Sequence, residues 1–101
     1  MAKTAVIAAT TAAAQYTLSI ADGATRGYSC TGLVDQEGVA VEVPDTAAGS
    51  TYTQAAIESE NGRVDRPKLT YERNILWITG PFEGRLNKSV TATATEVTEH
   101  S

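Results

Sequence analysis

Val39-Ala40-Val41-Glu42-Val43, stopped by Pro44 and Asp45, is the stretch that decides the fold. Its valines recur at every second position, which places them on one face of an extended chain and puts Ala40 and Glu42 on the other. β-branched side chains suit that conformation because their stiff χ1 packs well on a pleated surface. A strand with one apolar face needs a second layer to cover it, and the flanking sequence repeats the pattern. Tyr16, Leu18 and Ile20 alternate with Thr17 and Ser19 before the turn Ala21-Asp22-Gly23-Ala24. Residues 25–31 form a second extended piece around Tyr28 and Cys30 that breaks at Gly32.

Further along, residues 51–58 follow the small-residue turn Ala47-Ala48-Gly49-Ser50, with Ile57 as their one large aliphatic anchor. Asn61-Gly62 is a tight-turn dipeptide, since both residue types tolerate positive φ. Leu69 and Tyr71 then alternate with Lys68, Thr70 and Glu72. Ile75-Leu76-Trp77-Ile78 is apolar at every position, the pattern of a central strand covered on both sides. That predicts Trp77 buried between two sheets, with Trp77→Ala costing about 3–5 kcal/mol. Gly80-Pro81 stops this strand, Gly84 marks a turn, and Val90, Ala92 and Ala94 alternate with threonines in a long last segment, 86–97. The only helical competitor, residues 8–15, has no cap, no single polar face and too little length to stand alone. The fold expected is all-β: a small antiparallel β-sandwich or barrel of about six or seven strands, from turn signals roughly every ten residues. Residues 15–101 form the sandwich domain, and residues 1–14 form an extended N-terminal arm or a first strand.

The 101 residues fit one domain. Hydrophobic residues make up 42%, but much of that is alanine, with one Phe, one Trp and one Met. So thin a core leaves a small surplus over the ordering entropy, and a homo-oligomer or a bound subunit is expected. The net charge of −4 argues against nucleic acid as a partner, since phosphate contacts need clustered cations. Arg63, Arg66, Lys68 and Arg73 are interleaved with Asp65 and Glu72, as on a mixed solvated face. No membrane partner is expected: no apolar run approaches the roughly 18 residues of a span. Residues 1–14 match a secretory signal poorly, because the apolar run at 5–9 is short and Thr10 and Thr11 interrupt it.

Catalytic constellations are hard to assemble. The single histidine, His100, is expected as a solvated tail residue, and the single cysteine, Cys30, as a small buried hydrophobe. One His and one Cys do not make a zinc site. Placing Gly62 at the glycine of a calcium loop puts Ile57 where a carboxylate should stand. The glycines lack the Lys-Ser or Lys-Thr of a phosphate loop. The expectation is a non-enzymatic protein with no cofactor and no metal.

The stretch Ile78-Thr79-Gly80-Pro81-Phe82-Glu83-Gly84-Arg85-Leu86-Asn87-Lys88-Ser89, following Trp77, resembles the closing part of small bacteriophage virion proteins. In those a β-sandwich ends with a Gly-Pro turn, an Arg-containing strand and a Thr/Ala-rich last strand. Ile20-Ala21-Asp22-Gly23-Ala24, followed by Tyr28, resembles their opening hairpin. The resemblance implies a structural protein of the virion, assembled in the host cytoplasm. It implies a capsid decoration (cement) protein whose partner is the major capsid protein or another virion protein. No binding residue is carried over with it. The residues themselves suggest residues 2–14 as a segment able to pair with the edge of a neighbouring sheet, with Lys3, Val6 and Ile7 as anchors. The alternative is a receptor- or glycan-binding tail or fibre module. Trp77, Tyr16, Tyr28, Tyr52 and Tyr71 could form its stacking platform, and an exposed cluster of at least two would favour it.

Overall fold

A computed structural model describes residues 3–34, 37–45, 51–58, 62 and 64–101. Eleven strands follow one another and no helix is present among these residues. They are β1 (Lys3–Thr10), β2 (Ala14–Ile20), β3 (Thr25–Cys30), β4 (Val39–Pro44), β5 (Tyr52–Gln54), β6 (Ile57–Glu58), β7 (Val64–Asp65), β8 (Lys68–Leu69), β9 (Ile75–Thr79), β10 (Phe82–Lys88) and β11 (Thr95–His100). One sheet has four strands in the order β1-β11-β3-β9. The other has five, β2-β10-β4-β5 with β8 also paired to β4, and β6-β7 forms a separate ribbon. The pairings are antiparallel.

The two sheets face each other across one core. Ile7, Tyr28, Cys30, Leu76, Ile78 and Val97 project into it from the four-stranded sheet, and Leu18, Ile20, Val39, Val41, Leu69 and Leu86 from the other. The alternation that marked β4 is realised: Val39 and Val41 are fully buried while Ala40 and Glu42 are half-buried. Each wholly covered valine or leucine contributes roughly 1.5–3 kcal/mol, so these positions dominate the stabilisation. The all-β sandwich expected from the sequence is therefore present. Its surplus strands are β5 to β8, each two or three residues long.

Several local expectations are corrected. The apolar run at 75–78 is not a central strand: β9 is the edge of its sheet, with Leu76 and Ile78 buried but Ile75 and Trp77 exposed. Its strict in-out alternation follows from having a partner layer on one face alone. Trp77 is 52% exposed and not buried between the sheets. The last segment is not continuous. β10 ends at Lys88, residues 89–94 cross between the sheets, and β11 begins at Thr95, with Val90 exposed. Thr-Ala alternation supplies too little apolar area to hold those intervening residues on a sheet.

The stretch that resembles an opening hairpin is a crossover, since β2 and β3 lie in different sheets, and the Gly80-Pro81 turn is another, between β9 and β10. The two crossovers touch through a parallel bridge between Asp22 and Gly80. Residues 51–58 divide into β5 and β6 around the buried Ala55, whose N–H donates to Val41 O. The Ile57 side chain, the 47–50 turn and Asn61 lie outside the described structure, while Gly62 has the positive φ, 80°, that such a turn uses. Residues 3–10 form β1 on the flank of β11, the first-strand form of the N-terminal segment.

Candidate interaction face

The outer surfaces of the two sheets differ in chemistry. On the five-stranded sheet, strand register brings complementary polar groups side by side. Arg85 Nε donates to Glu42 Oε1 at 2.7 Å, and Asn87 Nδ2 donates to Glu42 Oε2 at 3.2 Å. Gln15 Nε2 donates to Asn87 Oδ1 at 3.0 Å, and Ser19 Oγ donates to Glu83 at 2.9 Å. The Arg85 guanidinium also lies 3.9 Å above the centre of the Tyr52 ring. These six polar side chains are satisfied by one another.

The outer surface of the four-stranded sheet is aromatic and apolar at its β9 side. Register sets Trp77 opposite Gly27, Gly27 opposite His100, and His100 opposite Lys3, so one row crosses the whole sheet. Absence of a side chain at Gly27 lets the Trp77 ring lie down across β3: a Cβ there would fall 2.8 Å from ring atom Cζ3. The Trp77 and His100 ring centroids are 6.4 Å apart, tilted by 46°. Ile75, 42% exposed, occupies the next row opposite Ser29, and Thr25 and Thr79 share a 3.0 Å hydroxyl contact on the far side. A large tryptophan face thus stands open to solvent beside an exposed isoleucine.

His100 is not a loose tail residue. It is the last residue of β11, half-buried, and its Nε2 shares a 2.7 Å hydrogen bond with Ser29 Oγ. That contact joins a hydroxyl to an imidazole on an open sheet face, and the described hydrogen bonds give His100 no carboxylate partner. Geometrically it braces the row beneath Trp77. Sequence spacing could not have found it, since the two residues meet only through the β3–β11 register.

The three proposed anchors do not share a surface. Lys3 is exposed in the His100 row, Val6 sits half-buried where the β1–β11 register shifts, and Ile7 is 5% exposed with its side chain in the core. The tyrosines are scattered too. Tyr28 is buried and donates to Glu99 Oε2 at 2.9 Å; burial and this carboxylate hold its phenol well above the usual range. Tyr16 packs against the core, and Tyr52 lies under Arg85. Tyr71 is exposed and lines a hollow of about 250 Å³ between residues 30–33 and 70–74. Cys30 borders the same hollow, and burial pushes its thiol up to about 11, which leaves it protonated and weakly nucleophilic at neutral pH. Among the described residues no group of three or more His, Cys, Asp or Glu side chains is placed to hold a metal ion.

Compared with known protein families, with characterised proteins and with solved structures, the chain matches none.

Proposed function

We propose that this chain is a non-enzymatic structural protein of a bacteriophage particle, decorating or cementing the capsid by protein-protein contact. One observation carries the binding part of this reading: Ile75 and Trp77 stand exposed together on an edge strand, side by side on its outer face. A contiguous exposed apolar patch on a small soluble domain marks a contact surface more often than it marks an accident. The capsid part is supported by the resemblance of residues 77–89 to the closing strands of small virion proteins. The glycan reading has less support, because it needs two aromatics in one platform and the aromatic partner of Trp77 is His100.

Immunogold labelling of purified virions with antibody against the chain tests the proposal. Gold distributed over the capsid shell is the expected result. Label confined to tail tips would transfer the chain to the receptor-binding class, and virions without label would remove it from the particle.

A further inference from the structure

We infer that the occupant of the β9 edge is a second copy of this chain, joined by antiparallel β9-β9 pairing about a two-fold axis at Trp77. The inference rests on the structural-protein reading above and names the contact that the exposed face makes.

Main-chain register carries the argument. Cys30 N–H donates to Asn74 O at 3.2 Å, and Gly80 N–H donates to Ala24 O at 2.9 Å. Both contacts fall in the antiparallel β3–β9 register that pairs Tyr28 with Leu76 and Arg26 with Ile78. In such a ladder alternate residues turn their N–H and C=O groups to the partner strand, and the others turn them away. Even-numbered residues of β9 therefore bond to β3. Ile75, Trp77 and Thr79 direct their main-chain groups out of the sheet edge, and no backbone hydrogen bond between elements engages them among the described residues.

That outward set is self-complementary. In an antiparallel pair centred on Trp77, Trp77 exchanges N–H and C=O bonds with Trp77 of the copy, and Ile75 does the same with Thr79 of the copy. The pairing is isologous and closes at two chains. It sets the two tryptophan side chains next to each other on one face of a continuous sheet and covers each Ile75 with the copy's Thr79.

Charge also favours a second copy. β9 has the sequence Ile75-Leu76-Trp77-Ile78-Thr79 and no ionisable group, in a chain of net charge −4, so strand meets strand without repulsion.

The other edges are guarded. β1 carries register irregularities between Ala5 and Ile7 and between Ile7 and Thr10, β2 exposes Gln15, Thr17 and Ser19, and β5 is three residues long. Irregular pairing, polar side chains and short length are devices that blunt an edge. β9 keeps one unbroken register with β3 over its five residues, and Thr79 at its end is its one exposed polar side chain.

Sedimentation equilibrium of the full chain across the micromolar range tests the inference, with Trp77→Lys and Ile75→Pro alongside. Trp77→Lys sets like charges against each other at the two-fold. Ile75→Pro deletes an outward N–H at the first residue of an edge strand, where proline is tolerated. The expected result is twice the 10.6 kDa chain mass for the unsubstituted protein, halved in both variants with β-type circular dichroism retained. If Ile75→Pro loses its β signal, the mass of Trp77→Lys decides. A single-chain mass for the unsubstituted protein, or a doubled mass that the folded variants keep, overturns the inference. A single-chain protein that still labels capsids would sink β9 pairing alone, whereas a β9 dimer missing from virions would sink the capsid role alone.

Discussion

Lys88 Nζ donates a hydrogen bond to the Ala12 carbonyl oxygen at 2.8 Å, tying the turn between β1 and β2 to the end of β10. The residue occupies an inward position of β10, two beyond Leu86, and its side chain is fully buried. Its remaining donors reach Ser89 O at 3.0 Å and Thr91 Oγ1 at 3.2 Å, and Thr91 Oγ1 in turn donates to Thr93 O at 2.8 Å. An ammonium group has three donors and no acceptor, so three oxygens complete it. Buried polar groups specify a structure when every member is satisfied.

Truncating this side chain should be costly for two separable reasons. Lys88→Ala removes the apolar stem and leaves buried carbonyls unpaired, an expected loss of about 3–5 kcal/mol. Lys88→Met keeps most of the stem and relieves the burial of a charge, so about 1–3 kcal/mol is expected. Urea unfolding of the two variants gives the comparison. Equal losses would mean that the hydrogen bonds carry the whole effect and that stem packing contributes nothing.

Two glycines with close neighbours should respond differently to alanine. A Cβ at Gly80 would collide with Ala21 O and Ile20 O, main-chain atoms at the end of β2 and the start of the neighbouring crossover that have nowhere to go. Gly80→Ala is expected to cost about 1–3 kcal/mol or more. At Gly27 the obstacle is the outer edge of the exposed Trp77 ring, which can swing away. Gly27→Ala should cost under about 1 kcal/mol and shift the emission of the single tryptophan. Thermal melts and fluorescence spectra together check both, and an unshifted spectrum in Gly27→Ala would mean that the ring does not rest on β3.

Much of this fold was legible because period two is a local signal. The valines of β4 and the alternation at Tyr16, Leu18 and Ile20 reported their buried faces correctly, with Leu18 and Ile20 in the core. What failed depended on sheet order. Ile75-Leu76-Trp77-Ile78 reads as doubly covered because every residue is apolar, yet apolarity records that a surface is to be covered and not by which chain. The face around Trp77 was therefore invisible, since Gly27, Ser29, His100 and Trp77 meet only through two strand registers. The burial of Lys88 was illegible for another reason, because nothing local marks a lysine as interior until its acceptors are known.

Arg85 should matter to the polar face through geometry as well as charge. Its side chain is 28% exposed and that of Glu42 15%, so the pair is screened less than an open surface bridge. Stacking on Tyr52 uses the planar guanidinium, which an ammonium does not reproduce. Arg85→Lys is expected to lose about 1 kcal/mol, and a double-mutant cycle with Glu42→Gln should return a coupling on the order of 1–2 kcal/mol. A coupling near zero would reduce the contact to an ordinary surface pair.

Alkaline pH should destabilise the fold through two buried acids on β3. Cys30 has its thiol raised from 9.0 to about 11 by burial, and the Tyr28 phenol is raised above 10.0 by burial and by its hydrogen bond to Glu99. Each group keeps its proton in the folded chain at a pH where the unfolded chain has released it. The unfolded state then binds fewer protons, and the linkage slope of stability against pH is negative. The contribution is fully present below pH 9, falls from about 9 as unfolded thiols ionise, and falls more steeply above about 10 as unfolded phenols follow. For Cys30 alone the loss across its window is on the order of 2 kcal/mol. Urea midpoints measured at intervals from neutral pH upward give the slope. Cys30→Ala should flatten its first part and Tyr28→Phe its second, whatever each does to the stability at neutral pH. At neutral pH the Cys30 thiol should also react with a disulfide reagent far more slowly in the folded chain than in urea. A fast reaction, together with a stability that is flat above pH 9, would mean that the interior of β3 is open to water.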